Sequence, residues 1–273
     1  MAGSGEAGGG AAGQDMREEP ARKGVPAALW GLAAVVGIAL LVRLAWPHAS
    51  GVPAYRWHFH VIWDYRRELL AGLWYTVLFT VVCIVCGFLF GLLTALARIS
   101  GVRALAVPVR ALIELFRCTP LLVQLVWIYY ALPVLTGLQL SAPAAAAISL
   151  SLYGGAFYSE IIRGGILSID PGQTEAGQAL GMMPLQVMRR VILPQAFRKM
   201  VPPLVSQSIM QLKNTSLLSV IAVPDLLYQA QSAAQATYRP LELYTAAAVI
   251  YFLVLFPATL LAQKLEIGDK GEH

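Results

Sequence analysis

The sequence predicts an all-α, polytopic membrane helical bundle with five core spans, one extra N-terminal span and a cytoplasmic loop that contains short helices. Three observations support this fold class. Apolar residues make up 58% of the chain and charged residues only 13%, whereas soluble domains are about 25% charged. Runs long enough to cross about 30 Å of hydrocarbon recur along the chain. Between these runs, Lys and Arg are concentrated on one side of the membrane.

Six apolar runs are predicted to be membrane-spanning helices, because a helix satisfies its own backbone groups in lipid. They are residues 27–46, 70–97, 110–132, 142–162, 202–222 and 244–263. The first run could be a signal peptide, but it is long, contains Arg43 and lacks a small-x-small cleavage site. We therefore interpret it as a retained anchor.

Most of the 20 Lys and Arg residues fall in segments that become cytoplasmic if both termini are inside, as the positive-inside rule requires. These residues are Arg17, Arg22, Lys23, Arg98, Arg103, Arg110, Arg163, Arg189, Arg190, Arg198, Lys199, Lys264 and Lys270. The net charge of +5 is thus explained by topology, since the basic residues form no single face for nucleic acid. Residues 1–25, rich in Gly, Ala and charge, are predicted to be a disordered cytoplasmic tail.

The longest inner connection, residues 163–200, carries the punctuation of two short helices. A turn at Asp170 precedes a first helix over residues 173–180, which Gly181 can end in a left-handed conformation. Pro184 suits the first position of a second helix, where its missing N–H costs nothing. An apolar stripe of this helix is predicted to be available to a partner, because such a short pair would hardly be stable alone. The stripe consists of Leu185, Met188, Val191 and Ile192.

These residues resemble the EAA signature of bacterial ABC importer permeases: Glu175-Ala176-Gly177, three residues, Gly181, nine residues, then Val191-Ile192-Leu193-Pro194. The sequence departs from that signature by Gly177 in place of Ala and by Val191 in place of Ile. The stretches ELFRCTPLLVQL, YSEIIRGGILSIDPGQTEAGQALGM and QLKNTSLLSVI are similar to the polar amino-acid subfamily, with a Cys at 118 where Gly is usual. The resemblance covers roughly residues 70–266, which it identifies as a permease transmembrane domain. Residues 26–69, with the extra span and outer loop, and the tail 267–273 lie outside it.

The resemblance implies that the short helical pair is a coupling helix, which lodges in a groove of a separate ATPase subunit. Residues at that contact are then Glu175, Ala176, Gly177, Gly181, Met182, Met183, Pro184, Arg189, Arg190, Leu193 and Pro194. The chain contains no GxxxxGK[ST] phosphate loop. ATP and Mg would therefore be bound by the partner ATPase, and the chain itself is not expected to be an enzyme or to hold a cofactor or metal. Further expected partners are a second permease subunit, identical or paralogous, an extracytoplasmic substrate-binding protein, a small amino acid and the bilayer of the bacterial inner membrane.

Polar residues inside apolar spans mark a pathway or a buried pair. In the third span, one helical face is predicted to carry Arg110, Glu114, Arg117, Leu121, Gln124 and Ile128. Of these, Gln124 is the candidate to touch substrate, whereas Glu114 and Arg117 can equally form a local ion pair.

The fourth and fifth spans add further pathway candidates, namely Tyr153, Phe157, Glu160, Gln211, Lys213, Asn214 and Thr215. Glu160 is open to three interpretations: a gate, an anchor for the loop or a ligand for an ammonium group. Lys213 either faces a wet cavity or pairs with Glu160 or with a partner subunit, because an unpaired Lys at depth is costly.

Other chemistry is less well supported by the sequence. Cys83 and Cys86 form a CxxC without a second pair, and buried apolar packing explains them better than redox or metal chemistry. A self-contained channel or carrier would favour inverted repeats, and a membrane-embedded enzyme needs convergent catalytic groups. The sequence shows neither feature. Co-purification of an ATPase would distinguish an importer permease from a carrier.

Overall fold

A computed structural model describes residues 55–270, together with Gly37. The predicted tail and the predicted span 27–46 thus lie outside the described residues, Gly37 excepted. Every regular element in the described part is helical, which confirms the all-α class there. The α-helices are α1 (His60–Asp64), α2 (Arg66–Ile99), α3 (Arg103–Cys118), α4 (Leu121–Thr136, including a π turn at Trp127–Ala131), α5 (Ala142–Leu167), α6 (Pro171–Ala179), α7 (Pro184–Val187), α8 (Leu193–Asn214), α9 (Leu226–Thr237) and α10 (Pro240–Lys270).

The long helices α2 and α5 form the centre of the fold and pack along each other through glycines. A Cβ atom on Gly91 would lie 2.6 Å from the Cβ of Tyr158, and one on Gly87 would lie 3.1 Å from the carbonyl oxygen of Ser151. Small residues therefore let the two backbones approach closely, as is typical of membrane helix pairs. Three described helices, α2, α5 and α10, are long and apolar enough to cross a membrane, and α3 with α4 would make a fourth. The count of six spans stays a prediction.

The predicted continuous third span is wrong, because the chain bends by 106° between α3 and α4. Pro120 has no N–H and disfavours a helical conformation for the residue before it. Thr119 is accordingly extended, with φ −103° and ψ 134°. The single polar face predicted from Arg110 to Ile128 therefore does not exist, since its two halves lie on helices of different direction.

Two boundaries on the C-terminal side also differ from expectation. The fifth predicted span begins already at Leu193, because a π turn at Met188–Ile192 joins α8 to α7 without a break, and a 3₁₀ segment (Thr215–Ile221) follows α8. The connection after it contains the unpredicted helix α9, whose N-cap is Asp225. The polar segment before the sixth span is therefore a packed helix whose core residues include Leu226 and Ala230.

Candidate functional site

The segment between α5 and α8, which we call the elbow (residues 170–192), begins with a capped helix. The Asp170 carboxylate accepts a hydrogen bond of 2.7 Å from the backbone N–H of Gly172 at the start of α6. At the other end, the N–H of Gly181 donates to the carbonyl of Gln178 and the N–H of Met182 to that of Gly177. Gly181 has φ +75°, so this is a glycine-terminated Schellman motif. The predicted glycine stop is confirmed.

The second half of the elbow starts at Pro184, the first residue of α7, as predicted. The backbone N–H of Met183 donates a hydrogen bond of 2.9 Å to the side chain of Gln186, which satisfies one otherwise open donor at this helix end. The two halves touch where Gly177 faces Val187. A Cβ on Gly177 would lie 2.9 Å from a methyl carbon of Val187. Glycine at this place in the motif is thus matched to the valine opposite.

The predicted partner-facing stripe on the second half is wrong in most of its members. Ile192 is buried, and Met188 and Val191 are partly buried against the same cluster. This inner cluster consists of Ala95, Ile162, Ile166, Ile169, Val187, Ile192, Ala196 and Met200. Because the inner cluster joins α2 and α5 to the elbow and α8, Met188, Val191 and Ile192 anchor the elbow to its own spans.

Three apolar side chains, one of them Leu185 of the predicted stripe, point away from the protein at the tip of the elbow. Leu180, Met183 and Leu185 are 83%, 69% and 77% exposed. Of the remaining candidates for the coupling contact, Gly177 is buried and Met182 half-buried, while the others are exposed: Glu175, Ala176, Gly181, Pro184, Arg189, Arg190, Leu193 and Pro194. The elbow therefore presents an apolar tip with a carboxylate and two guanidinium groups in the flanking sequence.

A charged cluster around Glu160 lies at the C-terminal end of α2. The Glu160 carboxylate is 2.6 Å from Arg98, 2.9 Å from Arg163 and 3.6 Å from Arg117. Arg117 also lies 3.4 Å from Glu114, so the local ion pair suggested by the sequence is present. Glu160 consequently links α2, α3 and α5, an anchoring geometry that involves no contact with Lys213.

Two aromatic pathway candidates adjoin this cluster. The ring centroids of Tyr153 and Phe157 are 5.0 Å apart, and the Arg117 guanidinium lies 5.7 Å from the centre of the Phe157 ring. The structure thus brings together Tyr153, Phe157 and Glu160 on α5, as their spacing of four and three residues predicts.

The glutamine candidates hold backbone carbonyl groups. Gln124 is buried and its amide nitrogen donates to the carbonyls of Phe116 and Thr119, both at 2.8 Å, which caps the broken end of α3. Gln211 is fully buried and donates to the carbonyl of Leu150 at 2.7 Å. In the described part of the chain, the amide oxygens of Gln124 and Gln211 have no hydrogen-bond partner.

The remaining candidates lie around the end of α8. Thr215 is buried, the amide nitrogen of Asn214 has no hydrogen-bond partner within the described residues, and Lys213 is exposed. Lys213 lines a cavity of about 260 Å³ between α8 and α10, together with Ser206, Ile209, Thr259, Ala262 and Gln263. Of the alternatives for Lys213, the pair with Glu160 is therefore not formed.

Sequence reasoning missed a second polar cluster, which joins α2, α9 and α10. The Asp225 carboxylate accepts a hydrogen bond of 2.8 Å from the backbone N–H of Tyr228 and one of 3.4 Å from the hydroxyl of Tyr251. The Thr76 hydroxyl oxygen accepts a hydrogen bond of 3.0 Å from the backbone N–H of Leu226. The Pro224-Asp225 pair ahead of an apolar run is a helix-start signal that could have revealed the cap. Its buried partners come from distant parts of the sequence.

Known proteins resemble this chain over most of its length. Residues 87–266 match the family described as binding-protein-dependent transport system inner membrane component. The probable glutamine ABC transporter permease protein GlnP of Bacillus subtilis (strain 168) is 39% identical over 74% of this chain and 96% of its own. The L-cystine transport system permease protein TcyB of the same organism is 39% identical over 80% of this chain and 95% of its own.

Among solved structures, an amino acid ABC transporter crystallised with histidines is 35% identical, with a TM-score of 0.74, over 78% of this chain and 99% of its own. The all-helical fold thus agrees with that of a solved amino acid ABC transporter. This chain belongs to the family of binding-protein-dependent transport system inner membrane components.

Proposed function

We propose that this chain is the permease subunit of an ATP-driven importer for polar amino acids, and that the elbow couples its spans to a separate ATPase dimer. The observation that carries the proposal is the elbow itself, a capped helical pair with an apolar tip at Leu180, Met183 and Leu185. Exposed apolar side chains clustered at one tip are typical of a protein contact. The relatives, whose names refer to glutamine and L-cystine, support amino acids as the substrate class.

The elbow is built to transmit force rather than to bend. Its halves meet at Gly177 and Val187, and its base is part of the inner cluster with Ile162 of α5 and Ala196 of α8. Lys199 adds a hydrogen bond of 3.2 Å to the carbonyl of Ser168. A displacement of the tip therefore moves α5 and α8, because close-packed interfaces shift as units. ATP binding can favour one conformation of the spans only as far as ATP binds the transporter more tightly in that conformation than in the other.

The substrate pathway follows the polar side chains of α4, α5 and α8. Gln124, Gln211 and Asn214 each have an amide atom without a hydrogen-bond partner among the described residues. Buried amides without partners are costly, so these atoms suit a passage that holds water and a polar solute. The proposed pathway also includes the other candidates from α5 and from the end of α8, which are Tyr153, Phe157, Glu160, Lys213 and Thr215.

The complete transporter contains a second permease subunit, two ATPase subunits that bind ATP and Mg, and an extracytoplasmic binding protein that delivers the amino acid. Both termini of this chain lie in the cytoplasm of a bacterium, and the spans lie in its inner membrane. This orientation is supported by the basic residues of the elbow and of the start of α8, which are Arg189, Arg190, Arg198 and Lys199.

The test is reconstitution of the permease with its co-purified ATPase, followed by a screen of amino acids, glutamine and cystine included, for stimulated ATP hydrolysis and uptake. The Gly181→Asp variant should retain basal hydrolysis and assembled spans but lose substrate-stimulated hydrolysis and uptake, because it places a charge beside the apolar tip that docks on the ATPase. Gly181→Asn, which has the same shape and the same tolerance of the left-handed conformation but no charge, is the matched control. Normal uptake by Gly181→Asp, or uptake by the permease without any ATPase, would overturn the proposal.

A further inference from the structure

Helix α3 has a surface that neither the elbow nor the pathway uses. Arg103, Arg110 and Arg117 recur at intervals of seven residues and therefore lie in one row along the helix. Arg117 is engaged by Glu114 and Glu160. Arg103 and Arg110 are exposed and have no ion pair or hydrogen bond within residues 55–270. Within the described residues, Arg103 and Arg110 are thus two cations of one row that lack a counter-charge.

The apolar side chains of α3 are also unusually exposed. Leu105, Val107, Leu112 and Leu115 are 46%, 66%, 39% and 61% exposed, whereas only Ile113 is buried. They span a broad arc of the helix, from Val107 beside the arginine row to Leu105 and Leu112 on the opposite side. A helix with a basic ribbon next to a broad apolar arc is typical of a segment that lies in the membrane interface.

The bend between α3 and α4 separates the direction of α3 from that of the helix that follows it. Leu121 and Leu125 of α4 pack with Ala146 and Leu150 of α5, one of the apolar candidate spans. Helix α3 turns away from α4 through 106°, so the two helices do not form one straight span. The C-terminal end of α3 carries Arg117, which contacts Glu160.

We propose that α3 is an interfacial helix that binds anionic phospholipid headgroups through Arg103 and Arg110. Charge complementarity identifies the occupant, since the exposed guanidinium groups match phosphate geometry and the arc beside them matches acyl chains. The arginines reach the phosphates while their stems cover apolar surface. The inference depends on the membrane location of the chain but not on its substrate or on an ATPase.

The test uses the full-length permease, purified in detergent and titrated with phosphatidylglycerol or phosphatidylcholine, with bound lipid counted by native mass spectrometry. The wild type should bind phosphatidylglycerol more tightly than phosphatidylcholine. The double variant Arg103→Gln/Arg110→Gln should weaken phosphatidylglycerol binding by about fivefold per arginine, as expected for a basic residue at an anionic surface. Both changes are at exposed positions, so the variant should keep the wild-type elution volume and helical content.

Arg67→Gln is the matched control, because Arg67 is exposed at the N-terminal end of α2, whereas α3 follows the C-terminal end. It should change the phosphatidylglycerol affinity by less than about twofold, within the scatter of a single exposed charge. Unchanged lipid binding in the double variant, or an equal loss in Arg67→Gln, would overturn the proposal. The proposal would also be overturned if the double variant kept its bound phosphatidylglycerol but no longer formed a chemical cross-link between two permease copies. In that case α3 would be a protein interface.

Discussion

Replacing Glu160 by Gln should destabilise the permease, because one carboxylate neutralises three arginines. The side chain of Arg98 is only 8% exposed and that of Glu160 19% exposed. Losing one partner of a buried pair costs about 3–5 kcal/mol, whereas the half-exposed Arg117 and Arg163 contacts are each worth about 0–1 kcal/mol. We expect a loss of about 3 kcal/mol, dominated by Arg98.

The assay is thermal unfolding of the purified permease in detergent, followed by intrinsic tryptophan fluorescence. For a chain of this size the expected loss corresponds to a fall in Tm of about 6–12 °C. Arg163→Gln is the matched control and should lower Tm by less than about 4 °C, because Arg163 is more exposed than Arg98 and its contact is worth less.

The double variant Glu160→Gln/Arg98→Gln separates an unpaired charge from simple loss of a contact. It should be more stable than Glu160→Gln alone, because the buried guanidinium that lacks a counter-charge is gone. If the double variant is as unstable as the sum of its single changes, or if Arg163→Gln destabilises as much as Glu160→Gln, the assignment of the cost to Arg98 is refuted.

Three further changes test the packing around the site. Gly177→Ala should reduce uptake, because overpacking against Val187 costs about 1–3 kcal/mol, and Val187→Ala in the same chain should restore it; uptake assays with no rescue would contradict the contact. Gln124→Leu should lower Tm, because the carbonyl groups of Phe116 and Thr119 lose their donor, and an unsatisfied buried group costs about 1–3 kcal/mol. An unchanged thermal unfolding curve would count against Gln124 as the cap of α3. Asp225→Ala should cost at least the roughly 1 kcal/mol of a lost N-cap, measured by thermal unfolding, whereas Asp225→Asn should retain most of the stability; equal losses would argue against capping.

The elbow was predictable because its signals are local. Asp170 at a helix start, Gly181 at a left-handed stop and Pro184 at a first helical position each act within a few residues. These signals fixed the turn and the order of the two helices. The prediction for the buried side of the second half is wrong, because the π turn at Met188–Ile192 adds one residue to the helix at that point and shifts the faces away from a 3.6-residue period.

Features that depend on distant partners were not predictable in the same way. A proline such as Pro120 is tolerated inside membrane helices, so sequence alone could not decide between a kink and the observed bend. The ion pair of Glu160 with Arg98 joins residues on two different helices, and no local spacing indicates it. The role of Gln124 as a cap follows only once the break in the chain is known.

The most direct test of the central proposal is the amount of ATPase that co-purifies with tip variants of the permease. Leu185→Asp should weaken the association by about thirtyfold, as loss of a contact hot spot of about 2 kcal/mol implies. Leu167→Asp, at a 61% exposed leucine outside the tip, should retain the ATPase. Full retention of the ATPase by Leu185→Asp combined with Leu180→Asp would contradict docking at the elbow.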